Sequence, residues 1–219
     1  MRFPDRSKAG QLLAQKLGGY ANNPDAVVLA LPRGGVPVGF EVACTLNLPL
    51  DIIVVRKLGV PNHEELAMGA IASGDVRVLE DDTIDWLQIP SSVIERVTEM
   101  EKTELQRRES TYRGTAPPLD PAGKIAILVD DGIATGSTMR AAVAVVRSRG
   151  PQRIVIAVPT APASTAKELE RVADDFVSII TADVFVGVGQ WYDDFRQVSD
   201  EVARDLYECA KLGWRRSDE

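Results

Sequence analysis

The sequence predicts an α/β fold in which helices flank a largely parallel sheet, and three observations carry that expectation. Apolar runs rich in Val, Ile and Leu recur at residues 26–31, 52–55, 125–129, 154–158 and 176–180. The runs are continuous rather than alternating, the pattern of strands covered on both faces. Segments that can form helices lie between most of them, at 36–45, 137–149 and 164–173, and strand–helix alternation is how a parallel sheet is wound. The length of 219 residues predicts one domain over 1–219, since domains run to roughly 100–200 residues.

Taken in order, Ser7 can cap a first helix whose apolar face holds Leu12, Leu13 and Leu17, and Gly18-Gly19 stops it. The first two strand–helix units follow. Residues 68–118 then leave the rhythm and read as an insertion. Ser73-Gly74-Asp75 looks like a turn between two short strands, and a long polar helix starts near Ser91 or Ser92, with Ser92 and Glu95 spaced as a capping box. Beyond Val93, Ile94, Val97, Met100 and Leu105 this helix has almost no apolar stripe, while Glu104 with Arg108 and Glu109 with Arg113 are spaced as i,i+4 pairs. It is expected to project from the core or to cover a partner subunit, and a homodimer is expected. A Pro-rich return at 115–121 leads back into the sheet. A second departure, 184–198, carries Gly and aromatic residues, and a last helix is expected near 200–212.

Composition narrows the chemistry. With 25 Lys+Arg against 32 Asp+Glu the net charge is −7, which removes the field that drives sequence-independent nucleic-acid binding. His63 is the one histidine, and Cys44 and Cys209 lack metal-ligand spacing, so a His- or Cys-based zinc site is excluded. Neither a signal-like leader nor an apolar run near the roughly 18 residues of a membrane span is present. A cytoplasmic protein with buried thiols rather than a disulfide framework, and no membrane association, is expected. Any catalysis then rests on carboxylates, cations, hydroxyls and backbone.

Residues 125–140 hold the richest combination. An apolar strand ends in Asp130-Asp131, and a loop containing Ala134, Thr135 and Gly136 enters a helix at Ser137 and Thr138. Loop and first-turn N–H groups, with the helix dipole and the hydroxyls, suit a phosphate. The paired carboxylates can accept hydrogen bonds from the adjacent hydroxyls of a sugar. Alone, Asp131-Gly132 would read as an ordinary turn; the loop is not a Walker motif, because it lacks the GxxxxGK lysine. After the first strand, Arg33 can pair with an anion bidentately while Gly34 and Gly35 let backbone approach it.

The segment 125–140 resembles the phosphoribosyl-pyrophosphate motif of the type I phosphoribosyltransferases. The resemblance implies that family's parallel sheet with a hood, here about 184–198, and a transfer of the phosphoribosyl group from phosphoribosyl pyrophosphate to a nitrogenous base, with Mg2+ as cofactor and pyrophosphate released. It implies that Asp130 and Asp131 hold the ribose hydroxyls, and reach the metal through ribose or water, while Ala134, Thr135, Gly136, Ser137 and Thr138 cradle the 5′-phosphate. The stretch 31–36 resembles the family's pyrophosphate loop, which places a non-proline cis peptide at Pro32-Arg33. Arg56-Lys57, followed by Glu65 to Gly69, resembles the adenine-type enzymes, where such a pair precedes a mobile loop; Arg56 and Lys57 would stabilise the leaving pyrophosphate, and Glu64 or Glu65 would handle the proton of the incoming base. Residues 195–198 resemble the carboxyl-terminal stretch of hypoxanthine-type enzymes, which puts Arg196 at the pyrophosphate, and Val188, Trp191 and Tyr192 fall where the hood covers the base.

Ala134 stands where enzymes for 6-oxopurines carry an Asp, so hypoxanthine, guanine and xanthine are disfavoured. The insertion matches no base-specific subgroup. A regulator of the same fold that senses phosphoribosyl pyrophosphate without turnover is the alternative; some family members of that kind bind RNA or DNA and need a basic face, and Arg107, Arg108 and Arg113 are a local exception to the acidic balance.

Overall fold

The computed structural model describes residues 1–61, 63–74, 76–114 and 116–212, without the side chains of Glu64 and Glu65. The chain opens with α1 (Arg6–Lys16), then β1 (Ala26–Ala30), α2 (Gly35–Leu46) and β2 (Leu50–Ile52). It continues through β3 (Val55–Val60), β4 (His63–Ala72), β5 (Val76–Leu79), α3 (Asp81–Leu87) and α4 (Ser91–Arg113). The second half holds β6 (Ile125–Val129), α5 (Ser137–Ser148), β7 (Arg153–Pro162), α6 (Ala163–Leu169), β8 (Asp175–Ala182) and α7 (Asp200–Lys211). Five strands form a parallel sheet in the order β2-β1-β6-β7-β8, and β3-β4-β5 form a separate antiparallel sheet.

The continuous apolar runs follow from this layering. Ala26, Val28 and Ala30 of β1 belong to the core under α1, α2, α4 and α7, while Val27, Leu29 and Leu31 belong to the core under α5 and the antiparallel sheet. Both faces of each central strand are dry, so alternation is lost. The chain leaves β1 for β2 on one side and returns as β6 on the other. That reversal of strand order opens a crevice above the carboxyl ends of β1 and β6, where open α/β sheets bind ligands.

Several expectations change. The run 52–55 is two strands: β2 ends at Ile52, and Val55 begins β3. Because Ile52, Ile53 and Val54 are all buried, hydrophobicity gives no sign of the break. The first helix is capped by Asp5, whose carboxylate accepts from Lys8 N at 2.7 Å, with Ser7 inside the first turn. The Ser92–Glu95 capping box does not form, because α4 begins at Ser91 after an extended Pro90 with no side-chain cap. The turn at 73–74 joins β4 to β5 as expected; Asp75, like Thr115 of the return, lies outside the described residues.

The largest correction concerns α4, which packs along β3, β4 and α7 rather than projecting from the core. Its buried face is Ile94, Thr98, Leu105, Tyr112 and Arg113, a stripe that polar atoms disguise in the sequence. Thr98 Oγ1 donates to Ile94 C=O at 2.8 Å, and Tyr112 OH donates to Asp200 at 2.7 Å. Both expected pairs form, Arg108–Glu104 at 2.8 Å on the outer face and Arg113–Glu109 at 3.2 Å at the edge of the buried one. Arg113 also reaches Asp51 of β2 at 3.2 Å, with side chains 5% and 3% exposed, and donates to Ile52 C=O.

Removing one partner of a buried ion pair leaves the other charge uncompensated, at a cost of about 3–5 kcal/mol. Asp51 keeps donors in Ile52 N and Leu119 N, so Arg113→Ala is expected near the low end, about 3 kcal/mol. A urea titration reads this as a lower midpoint at constant slope; a loss under about 1 kcal/mol would mean the backbone donors suffice for Asp51.

Candidate functional site

Two loops meet at the crevice, and glycine makes the meeting possible. A Cβ at Gly34 would fall onto the Asp131 carboxylate, 2.5 Å from its Cγ, and one at Gly35 would lie 2.7 Å from Val129 O and 2.8 Å from Asp130 Cα. No side chain fits at either position, so the turn after β1 lies directly on the acidic end of β6. Leu31 N donates to Val129 O at 2.9 Å across the same seam, and the Pro32-Arg33 peptide is cis. Arg33 points along the crevice toward Asp200, 3.8 Å away.

The carboxylates themselves are enclosed. Asp130 Oδ1 accepts from Asp131 N at 2.8 Å, and Asp131 Oδ2 accepts from Arg6 Nε at 2.7 Å. The Arg6 and Asp131 side chains are 11% and 13% exposed. Burial, then the neighbouring Asp131 charge, raises the Asp130 pKa well above the ordinary carboxyl value. Burial also raises that of Asp131, with Arg6 opposing the rise. Arg6 is thus the counter-charge of the pair. No sequence motif points to it, since 125 residues separate it from Asp131. The Arg6 guanidinium also sits 4.0 Å over the Phe195 ring and donates to Arg196 C=O at 2.9 Å.

Beyond Asp131 the loop turns into α5 at Gly136. Gly136 has φ +76°, a conformation that favours glycine, and a Cβ there would meet Thr165 Cγ2 at 2.8 Å. Thr165 Oγ1 donates to Ala134 C=O, and Arg140 donates to Thr135 C=O. The carbonyls are held from behind by these donors. Thr135 and Thr138 are exposed, Thr135 and Ser137 hydroxyls lie 3.3 Å apart, and α5 starts at Ser137 with its first N–H groups free of helical partners.

Arg56 and Lys57 lie within β3, opposite Ile71 and Ala70. They line a cleft of about 910 Å³ that Pro32 and Thr138 also line, so the structure brings them to the same opening as both loops. Arg56 is paired with Glu101 of α4 at 2.6 Å, a partner that no motif indicates. The Glu65 side chain lies outside the described residues.

The carboxyl-terminal expectations fare differently. Tyr192 is 1% exposed, its ring set against Phe3 and Phe195 at 5.3 and 5.0 Å and its OH donating to Asp131 C=O at 2.6 Å. It cannot stack on a ligand; it supports the acidic pair from below. Trp191 rests beside Phe185 at 6.2 Å, with Nε1 buried and unpartnered among the described residues. Val188 does reach the crevice, where a Cβ at Gly132 would lie 3.0 Å from its Cγ2. Arg196 turns away: its guanidinium grips Asp194 at 2.6 Å and is 90% exposed. Backbone groups of that segment instead hold the amino terminus, Phe3 N donating to Trp191 O and Asp193 N to Phe3 O.

A model of the phosphoribosyl transferase domain matches residues 6–196. The chain belongs to that family. It is 45% identical over 199 residues to a Mycobacterium tuberculosis protein named "Putative phosphoribosyl transferase Rv0571c", covering 91% of this chain and 45% of that protein. The chain therefore spans less than half the length of that relative. It is similar to the crystal structure of TT1426 from Thermus thermophilus, with 39% identity, a TM-score of 0.88, and coverage of 98% of this chain and 100% of that one. A "Bifunctional protein PyrR" from Pelotomaculum thermopropionicum is 31% identical over 110 residues, 50% of this chain and 55% of that protein.

Among the described residues no group of three or more His, Cys, Asp or Glu side chains is placed to hold a metal ion, and no helix is long and apolar enough to cross a membrane. Cys44 and Cys209 are half-buried, and neither forms a disulfide among the described residues.

The raised Asp130 pKa has a consequence for stability. A carboxyl whose folded pKa exceeds its unfolded value, about 3.9, takes up a proton more readily in the folded chain, so its favourable contribution is lost as pH rises through the folded pKa. Ionised Asp130 is then a burden at neutral pH. Asp130→Asn keeps the Oδ1 acceptor for Asp131 N and is expected to raise the melting temperature at pH 7, by about 2–4 °C for each kcal/mol gained. The gain should vanish below about pH 4; equal gains at both pH values would refute the assignment. Gly34→Ala is expected to leave far-UV circular dichroism unchanged while lowering the melting temperature, because the methyl and the Asp131 carboxylate cannot share one place.

Proposed function

We propose that the chain transfers the 5-phosphoribosyl group of phosphoribosyl pyrophosphate to a nitrogenous base or similar nucleophile, with inversion at the anomeric carbon and release of pyrophosphate. The contact of Gly34 and Gly35 with Asp131 and Asp130 carries this reading. It joins a loop suited to pyrophosphate to carboxylates suited to the ribose, with the phosphate-holding turn at 134–138 next in the chain, so the three parts of one ligand find partners in order.

Each residue then has a physical task. The N–H groups entering α5 and the hydroxyls of Thr135, Ser137 and Thr138 hold the 5′-phosphate. Asp131, oriented by Arg6, and Asp130 accept the ribose hydroxyls. Arg33, with the loop backbone, and Arg56 and Lys57 on β3 face the charge that grows on the departing pyrophosphate, where fixed cations act most strongly once water is excluded. Glu65 is the candidate for the proton of the incoming base, and Val188 for apolar cover over it. Ala134 supplies no carboxylate beside the base, which supports an acceptor other than a 6-oxopurine.

The donor set is compatible with Mg2+. Two adjacent carboxylates without a third acidic ligand suit an ion bound mainly through substrate phosphates and water, with Asp130 and Asp131 reaching it through ribose or water. When bound, such an ion neutralises pyrophosphate charge.

Release of pyrophosphate from phosphoribosyl pyrophosphate and Mg2+, followed across a panel of nucleobases, is the direct test, and turnover with at least one is expected. Asp131→Asn removes a charged acceptor worth about 1.5–3 kcal/mol, so ligand affinity should fall tenfold or more with the fold intact. Failure of the parent chain to bind phosphoribosyl pyrophosphate by calorimetry would end this reading.

A further inference from the structure

The cleft between α4 and β3 is lined mainly by cations among its charged residues. Four cations line it, Arg56, Lys57, Arg96 and Arg108, against a single carboxylate among the described residues, Glu101, on a chain whose net charge is −7. Such a local reversal of sign, walled by low-dielectric protein, concentrates anions. Pro32 of the first loop and Thr138 of α5 close the other side, so the positive wall faces the site already described. Arg96 and Arg108 come from α4, the element that no sequence motif assigned. Arg96 is exposed and the Arg108 side chain is 36% exposed, so neither is fixed by the core. Glu101 meanwhile holds Arg56 at 2.6 Å, with both side chains mostly covered at 26% and 29% exposure.

We propose that Arg96 and Arg108 of α4 bind the diphosphate end of the ligand together with Arg56 and Lys57, and that Glu101 stores Arg56 against α4 until a diphosphate takes it over. The proposal rests on the phosphoribosyl-transfer reading for the identity of that ligand, but its chemistry is that of any diphosphate. Arg108 shares its charge with Glu104 at 2.8 Å, which leaves guanidinium donors for a phosphate oxygen because the fork carries five N–H groups. The pairing of Arg56 with Glu101 is exchangeable for the same reason. A diphosphate presents more negative charge than one carboxylate, and a partly exposed ion pair contributes little by itself.

The test uses the full chain and the double variant Arg96→Gln/Arg108→Gln, with calorimetry of pyrophosphate, phosphoribosyl pyrophosphate and ATP, each with Mg2+, and of ribose 5-phosphate. Two lost charge-assisted contacts predict about a hundredfold or more weaker binding of pyrophosphate and phosphoribosyl pyrophosphate, with ribose 5-phosphate affinity unchanged. Glu101→Gln is expected to tighten pyrophosphate binding severalfold by freeing Arg56. Undiminished pyrophosphate binding in the double variant, or an equal loss for ribose 5-phosphate, overturns the proposal. Loss confined to ATP also overturns it, since the cations would then serve a different diphosphate source. If the parent binds pyrophosphate and the variant does not, while neither binds phosphoribosyl pyrophosphate, the α4 assignment stands and the phosphoribosyl reading falls. A parent chain that binds none of the four ends both.

Discussion

Backbone pressed against carboxylate, at Gly34 and Gly35 over Asp131 and Asp130, is what makes the crevice a single site. The sheet order puts β1 beside β6 at the point where the chain reverses direction across the sheet. Any Cβ on the first loop would force the two strand ends apart. With that gap opened, Arg33, Asp131 and the 134–138 turn would no longer address one small ligand. Val188 over Gly132 and Thr165 behind Gly136 extend the same requirement along the second loop. A set of positions without side chains thus decides where the charged side chains meet.

Enclosing two adjacent carboxylates works against folding, and the structure shows how the burden is distributed. Asp130 has a backbone donor and no cation of its own among the described residues, so its proton is held well above the usual range by burial and by Asp131. Asp131 has Arg6, itself covered by Phe195 and tied to the backbone of residue 196. Tyr192, from beneath, fixes the Asp131 carbonyl. Unfavourable electrostatics held in place by surrounding packing is the usual mark of a functional site rather than a structural one.

The same logic explains α4. A helix this polar can still pack, because Thr98 satisfies its hydroxyl within its own turn, Tyr112 reaches out to Asp200, and Arg113 is neutralised by Asp51. What remains on its flank, Arg96, Glu101 and Arg108, faces the cleft rather than the core. The core-facing and cleft-facing residues occupy neighbouring stripes of one helix, and the buried Arg113–Asp51 pair locks its carboxyl end to β2.

The parallel sheet is legible in the residues alone, because strands buried on both faces leave unbroken apolar runs between helix-forming segments. So are the acidic strand end and the turn that enters α5, because Asp130-Asp131 and Thr135-Gly136-Ser137 take their geometry from neighbouring residues. Which cations and aromatics join them is settled by the folded chain and by nothing shorter. Arg6 reaches Asp131 across 125 positions, Glu101 takes Arg56, Tyr192 goes under the site instead of over it, and Arg196 turns to Asp194. None of these leaves a periodic or local trace, since a long side chain's partner is fixed by which elements pack side by side, and that is a property of the assembled fold.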